Sequence, residues 1–146
     1  MEREVIQSVG FRNIVENGEI TGFQLKIRLP YYRGVFLSQI RPGTLYVDGE
    51  AFSKEDIIWN IKGEDYTIKD MEHDYQTHWE VTKPAVLKVK KPGGLAQGYH
   101  DITYGFCFTS SYMPPVMQST LDPDNDPPFI LPEFGHHVNK RRLIIV

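Results

Sequence analysis

The 146-residue sequence contains one cysteine, no long apolar run and no block of basic residues. Because Cys107 stands alone, an intrachain disulfide is excluded. No apolar segment is long enough to cross a bilayer, and the charged residues 1–4 are not followed by the apolar core of a signal peptide. The net charge is -3 at pH 7, and the lack of a basic cluster argues against nucleic acid as a partner. We therefore expect a cytoplasmic protein that binds neither membranes nor nucleic acid.

Helical periodicity is also missing, because apolar spacing of 3.6 residues never persists along the chain. Short β-branched and aromatic runs instead alternate with turn signals such as Asn17-Gly18 and Asp48-Gly49. This pattern predicts an all-β fold, a single-domain antiparallel β-sandwich or jelly-roll-like barrel over residues 1–146. The predicted strands are 5–15, 20–29, 35–40, 44–47, 57–61, 66–68, 78–81, 85–89, 101–110 and the C-terminal strand 140–146. One helical turn is expected within residues 69–77.

A loop between two of these strands carries Tyr31, Tyr32 and Arg33. Pro30 removes a hydrogen-bond donor and ends the first strand, and Gly34 lets the chain turn back. Tyr and Arg on a rigidly held loop are the residue types that dominate interface hot spots. The alternative is structural: one tyrosine packs inward and the other caps the sheet edge.

A second candidate region begins where Met113 and Pro114 end the sheet pattern. The segment 118–135 that follows is rich in Pro and Asp and cannot form a helix or a central strand. Long loops without periodicity are usually functional or bound to a partner. We therefore expect a long Pro/Asp-rich loop at 118–135.

Within that loop, Asp122-Pro-Asp-Asn-Asp126 resembles the opening of a calcium-binding loop, with Glu133 at the twelfth position. An EF-hand needs glycine at the sixth position and flanking helices, whereas Pro127 stands there. The pattern favours a solvated acidic loop, and a looser cation site remains the alternative.

The histidines do not form a recognisable metal site. His136 and His137 are adjacent and would point to opposite faces of a strand. His73 and His78 lie near several acids but match no standard ligand spacing. Surface histidines are therefore expected, and Cys107, set among aromatic residues, is expected to be a buried, inert thiol because no electropositive setting is evident.

No Gly-x-Ser-x-Gly, phosphate-binding loop or dinucleotide fingerprint occurs. The residues thus predict no catalytic, cofactor-binding or metal-ligating set in this chain. Three classes remain open: a ligand-binding module, the non-catalytic subunit of a larger assembly, and a metal-dependent jelly-roll enzyme with ligands from separate strands.

Several segments, in order along residues 11–114, resemble the small β subunit of the bacterial C-glycoside deglycosidases. They are Val15-Glu-Asn-Gly-Glu-Ile-Thr-Gly-Phe23, Arg28-Leu-Pro-Tyr-Tyr-Arg-Gly-Val-Phe-Leu-Ser38, Val47-Asp-Gly-Glu50, Tyr66-Thr-Ile68 with Met71, Trp79-Glu80, Lys91-Pro-Gly-Gly-Leu-Ala96 with Gly98 and His100, and Ser111-Tyr-Met-Pro114. The Pro-Tyr-Tyr-Arg-Gly and Lys-Pro-Gly-Gly-Leu segments are the specific ones.

The resemblance implies a partner, an α subunit similar to TIM-barrel sugar-phosphate isomerases and epimerases, in a higher-order hetero-oligomer. It implies that this α subunit carries a divalent metal, Mn²⁺ or a similar ion, together with the acid/base residues. The complex would be a carbon–carbon lyase that cleaves the bond between the aglycone and the 3-oxo sugar of plant C-glycosides, such as flavone C-glucosides, by β-elimination. Under this hypothesis Tyr31, Tyr32, Arg33, Met113 and Pro114 are the expected contacts with the α subunit.

A stand-alone carbohydrate-binding β-sandwich module is the competing function. It would present aromatic residues on an exposed sheet face, and Tyr104, Phe106 and Phe108 share one side of a predicted strand. Large rings on a central strand are usually buried, so a core position is the favoured interpretation for these three.

Overall fold

A computed structural model describes residues 4–30, 34–108 and 139–146. Within these residues the chain is built mainly of antiparallel strands, which confirms the all-β prediction. The strands are β1 (Arg12–Glu16), β2 (Glu19–Ile27), β3 (Val35–Phe36), β4 (Ile40–Pro42), β5 (Leu45–Val47), β6 (Glu50–Phe52), β7 (Ile57–Ile61), β8 (Glu64–Tyr66), β9 (His78–Trp79), β10 (Ala85–Lys90), β11 (Gly98–Tyr104), β12 (Phe106–Phe108) and β13 (Asn139–Ile145). Two 3₁₀ turns, Leu37–Gln39 and Lys54–Asp56, and the short helix α1 (Ile68–Glu72) complete the described elements.

The strands form two main sheets and two small ribbons. The larger sheet has five strands in the order β1-β2-β10-β7-β8, and the second has four in the order β13-β11-β5-β6. The ribbons pair β12 with β4 and β3 with β9. Buried apolar side chains from both sheets and both ribbons form one cluster, which contains Trp59, Trp79, Tyr104 and Phe106 at zero exposure. The fold is therefore the predicted β-sandwich, with side chains of both ribbons packed into its core.

The hairpin signals in the sequence are confirmed. Asn17 and Gly18 have φ of 51° and 79°, and Asp48 and Gly49 have φ of 51° and 85°. Two consecutive positive φ values give the turn the twist of the flanking strands, which is why Asn-Gly and Asp-Gly are favoured there. A β-bulge lies beside the first hairpin, because the β1–β2 register shifts between Ile14 and Val15, where Thr21 is the extra residue.

The strand predicted over 35–40 is wrong in its second half. Only Val35–Phe36 is extended before a 3₁₀ turn begins at Leu37, and that turn is held by a 2.9 Å hydrogen bond from the Phe36 amide to Gln39 Oε1. Arg41 and Pro42, which lie between two predicted strands, belong to strand β4. Pro42 is tolerated there because, among the described strands, β4 pairs with β12 alone and so lies at a sheet edge.

Other boundaries also differ from the prediction: the first strand begins at Arg12 and the strand predicted over 78–81 ends at Trp79. The expected strand 66–68 ends at Tyr66, because Thr67 caps α1: its Oγ1 accepts from the Asp70 amide and Asp70 Oδ2 accepts from the Thr67 amide. The long strand expected over 101–110 breaks at Gly105, so that β11 lies in the four-stranded sheet and β12 pairs with β4.

The aromatic residues of that broken strand lie in the core. Tyr104, Phe106 and Phe108 have zero exposed fraction, as favoured from the sequence. Cys107, expected on the opposite side from these rings, is equally buried, because β12 is covered on both faces. These rings therefore offer no exposed platform for a sugar.

Candidate subunit interface

The residues predicted to contact a partner, Tyr31, Tyr32, Arg33, Met113 and Pro114, lie outside the described part of the chain, as does the predicted loop 118–135. The structure does define the points from which both segments extend. The first segment joins Pro30 to Gly34, and the second follows Phe108.

Both ends of the 31–33 segment are fixed in the core. Leu29 has zero exposure and Val35 only 3%. The Arg28 amide donates to the Val5 carbonyl at 2.9 Å, and Val35 pairs with Trp79. The segment is therefore attached to rigid positions, as the sequence predicted for an interface loop.

Gly34 lies where two backbones approach closely. A Cβ at this position would lie 2.7 Å from the Trp79 carbonyl oxygen and would overlap the His78 ring. Glycine is needed because the backbones of β3 and β9 approach closely there, and this approach sets where the 31–33 segment rejoins the sandwich.

Exposed aromatic residues lie beside this point, and the sequence reasoning had not singled them out as interface residues. The Phe36 side chain is 42% exposed, and its ring meets that of His78 edge-on at a centroid distance of 5.0 Å. Tyr75 is 70% exposed. The Leu37 amide donates to the Thr77 carbonyl and thereby holds the Tyr75 segment against the 3₁₀ turn that follows Phe36. We call Phe36, Tyr75 and His78 the aromatic edge.

The aromatic edge matches the residue types found at protein interfaces, where exposed rings on a rigid support provide most of the binding energy. No local pattern reveals it, because Phe36 lies in an apolar run and Tyr75 in a polar one. Only the pairing of β3 with β9 brings the two segments together.

The surroundings of Cys107 could not be predicted from the sequence either, because they depend on which strands pair. Cys107 is free and buried, as predicted. Its register partner in β4, however, is Arg41, so a positive charge lies opposite, contrary to the expectation. Burial lowers the pKa of the Arg41 guanidinium, while Glu72, Cys107 and Tyr75 act in the opposite direction.

The second family-specific segment, unlike the 31–33 loop, lies within the described residues. Lys91-Pro-Gly-Gly-Leu-Ala forms, with Gln97, a corner that carries the chain from β10 in one sheet to β11 in the other; we call residues 91–97 the crossover corner. The Asn13 side chain accepts from the Leu95 amide at 2.8 Å and donates to the Leu95 carbonyl at 2.9 Å. Lys91 Nζ lies 3.0 Å from Glu50 Oε2. The corner is thus bonded to both sheets of the sandwich.

Among the described residues, no three His, Cys, Asp or Glu side chains come together in a way that would hold a metal ion. His73 is exposed and His78 half-buried, while His136, His137 and the acidic run from Asp122 lie outside the described ranges. Nor does any helix within those ranges have the length and apolar character needed to span a bilayer.

Fold and surface together define a small all-β domain with an exposed aromatic edge, of the kind expected of a subunit that binds another protein. Residues 1–112 match the family model described as C-glycoside deglycosidase beta subunit, and the chain belongs to this family. It is 70% identical to the C-glycoside deglycosidase beta subunit of Eubacterium cellulosolvens over 100% of both chains. A beta subunit of Microbacterium trichothecenolyticum is 28% identical over 61% of this chain and 67% of the relative. The beta subunit of Arthrobacter globiformis is 28% identical over 45% of this chain and 51% of the relative.

Proposed function

We propose that this chain is the small subunit of a complex that cleaves the carbon–carbon bond between the aglycone and the 3-oxo sugar of plant C-glycosides such as flavone C-glucosides. Membership of the beta-subunit family, with a 70% identical relative over the full chain, is the observation that carries this proposal. A beta subunit acts with a partner subunit, which we propose is an α subunit of the isomerase-like TIM-barrel type.

The reaction follows from the chemistry of the 3-oxo sugar. The ketone makes the neighbouring C2 proton acidic, so a base in the α subunit can remove it. The electron pair then forms the C1–C2 double bond, and the bond to the aglycone breaks by β-elimination as the aromatic carbon takes up a proton. A divalent metal, Mn²⁺ or a similar ion, would supply Lewis-acid stabilisation in the α subunit. The described residues of this chain do not fit such an ion, and no step is assigned to them.

The role of this chain in the complex is to bind and complete the α subunit. Three features support this: buried anchors on both sides of the 31–33 segment, the aromatic edge beside it, and a sandwich core that keeps both in place. We propose that Tyr31, Tyr32, Arg33, Met113 and Pro114 supply further contacts, in a higher-order hetero-oligomer.

Size-exclusion chromatography tests the proposal directly. The chain is run alone and together with a co-expressed isomerase-like candidate for the α subunit, and each peak is assayed on a 3-oxo C-glucoside with Mn²⁺. We expect lyase activity only in a joint peak. Activity of this chain alone would contradict the subunit role, and His73 and His78 would then be the first residues to mutate.

The loop at 118–135 is a second element to test. We propose that it reaches the mouth of the partner's active site and shapes the choice of aglycone. Deleting it should change the ratio of kcat/KM between two C-glucosides with different aglycones while assembly persists. If only the thermal stability changes, the loop is structural.

A stand-alone carbohydrate-binding module is the second candidate, and a specific surface favours it. Tyr99 is 71% exposed and Tyr46 43% exposed, both on the outer face of the four-stranded sheet. Binding of glucosides by the isolated chain, lost on Tyr99→Ala, would support the module.

A further inference from the structure

His100 is the buried polar residue of the described core, and its ring is hydrogen-bonded at both nitrogens. The residue is 8% exposed. Its Nδ1 lies 2.6 Å from Asp48 Oδ2, and its Nε2 lies 2.7 Å from the Ala96 carbonyl oxygen. A carboxylate and a carbonyl oxygen only accept hydrogen bonds, so each ring nitrogen must carry a proton to satisfy this geometry. The contacts therefore require the imidazolium form.

The two acceptors belong to different parts of the sandwich. Asp48 lies in the turn between β5 and β6, and Ala96 lies in the crossover corner. Asp48 is fixed from its other side, because its Oδ1 accepts from the Asp101 amide at 2.8 Å. His100 itself is held in β11 between β5 and β13. The ring thus bridges two segments that are 48 positions apart in the numbering, from Asp48 to Ala96.

The other charged groups on the surrounding elements are engaged elsewhere. The Asp101 carboxylate receives two hydrogen bonds from Arg142, at 2.8 and 3.3 Å. Glu50 is paired with Lys91. On the β13 side His100 is the register partner of the apolar Leu143.

An aromatic ring covers the imidazole on the side toward β1. The Phe11 ring meets it edge-on at a centroid distance of 6.0 Å. Because Asp101 and Glu50 are paired with other residues, Asp48 is the carboxylate that faces the imidazole directly.

We propose that Asp48, His100 and Ala96 form a protonation-dependent clamp that locks the crossover corner onto the β5–β6 turn. When the ring loses a proton, one nitrogen presents a lone pair to an oxygen less than 3 Å away. One hydrogen bond is then replaced by repulsion, and either the corner or the turn must move away. The clamp is closed when His100 is charged and opens when it is neutral.

The direction of the pH dependence follows from the contacts. Burial lowers the pKa of His100, but the Ala96 carbonyl and the Asp48 carboxylate outweigh it, so that the pKa is raised above its usual value. A raised pKa in the folded state means that the stabilisation is complete below the unfolded pKa of about 6.5. It is lost as the pH rises through the higher folded pKa. The clamp therefore weakens as the pH rises above the ordinary range of a histidine pKa.

Imidazole ¹⁵N NMR of the full chain tests the protonation state, with His100→Gln used to identify the signal. We expect both ring nitrogens of His100 to be protonated at pH about 6, with a pKa above about 6.5. Asp48→Asn is the matched variant, because asparagine also tolerates the positive φ of this turn and its Oδ1 can keep the bond from the Asp101 amide. Removing the negative charge should lower the pKa of His100 below the wild-type value. A wild-type pKa of His100 at or below about 6.5 would overturn the proposal.

Hydrogen exchange then tests whether the corner responds. The amide of Leu95, bonded to Asn13, reports the corner, and the amide of Leu87 within β10 serves as the internal control. Between pH about 6 and about 9 we expect the protection factor of Leu95 to fall about tenfold, the loss of roughly one hydrogen bond, relative to Leu87. In Asp48→Asn the fall should occur at lower pH. If His100 titrates while the protection factor of the Leu95 amide stays constant, the contacts of His100 with Asp48 and Ala96 do not act as a clamp.

Discussion

Replacing Tyr32 and Arg33 together by alanine is expected to weaken assembly with the proposed α subunit by more than about 2 kcal/mol, the scale of an interface hot spot. The expectation rests on the residue types and on how their loop is held. Leu29 and Val35 are buried on either side, so the two attachment points of the segment are already fixed before binding. The dissociation constant of the complex, measured by dilution on a sizing column or by calorimetry, should rise by at least about thirtyfold.

A matched double variant separates a specific anchor from a general loss of surface contacts. Tyr99 and Lys140 are a tyrosine and a basic residue, both exposed, on neighbouring strands of the four-stranded sheet. Tyr99→Ala with Lys140→Ala should leave the dissociation constant nearly unchanged. Recovery of the Tyr32/Arg33 variant in full stoichiometry with the α subunit would show that this loop is not the anchor. Equal weakening by both variants would place the sheet face in the interface.

Gly22→Ala is expected to have the largest effect on the stability of the chain itself. A Cβ at Gly22 would overlap the Val89 carbonyl oxygen and lie 3.0 Å from the Val89 carbonyl carbon and 3.2 Å from Lys90 Cα. These are backbone atoms of the neighbouring strand β10, so no side chain can rotate away. The two strands must separate inside the five-stranded sheet, and we expect a loss of about 3 kcal/mol in the free energy of unfolding. Denaturant unfolding followed by tryptophan fluorescence measures it.

Gly18→Ala is the control for this prediction. Gly18 has a φ of 79°, but a methyl group added there would have no heavy atom within 4 Å, so its substitution carries only the cost of the left-handed backbone. We expect that cost to be about 1 kcal/mol. If both variants are equally stable, the close approach of β2 and β10 does not limit the sheet.

The sequence predicted secondary structure most accurately where the conformational preference of one or two residues decides the local fold. Asn17-Gly18 and Asp48-Gly49 require positive φ, and both hairpins are present. The predicted strand boundaries were wrong where strand pairing in the folded protein overrides the local preference of the sequence. Pro42 lies in an edge strand, although proline disfavours strands. Gly105 divides the strand predicted over 101–110 into β11, which lies in a sheet, and β12, which lies in a ribbon.

The candidate interface was predictable only in part. The tyrosine and arginine residues single out the segment 31–33 as a candidate interface, and the sequence predicts a strand on either side of it. The aromatic edge was not predictable, because the segments of Phe36 and Tyr75 come together only through the pairing of β3 with β9 and the bond from Leu37 to Thr77. Likewise nothing local connects His100 with Asp48, which lie 52 positions apart.

By itself the sequence determined the fold class, the two Gly-containing hairpins, the burial of Tyr104 and Cys107, and the resemblance to the family to which the chain belongs. These depend on the period of apolar residues and on the conformations that single residues allow. Tertiary structure alone decided the strand order, the close approach at Gly22 and the protonated state that the His100 contacts require. Each of these features depends on contacts between residues far apart in the sequence. Those contacts form only when the sheets assemble.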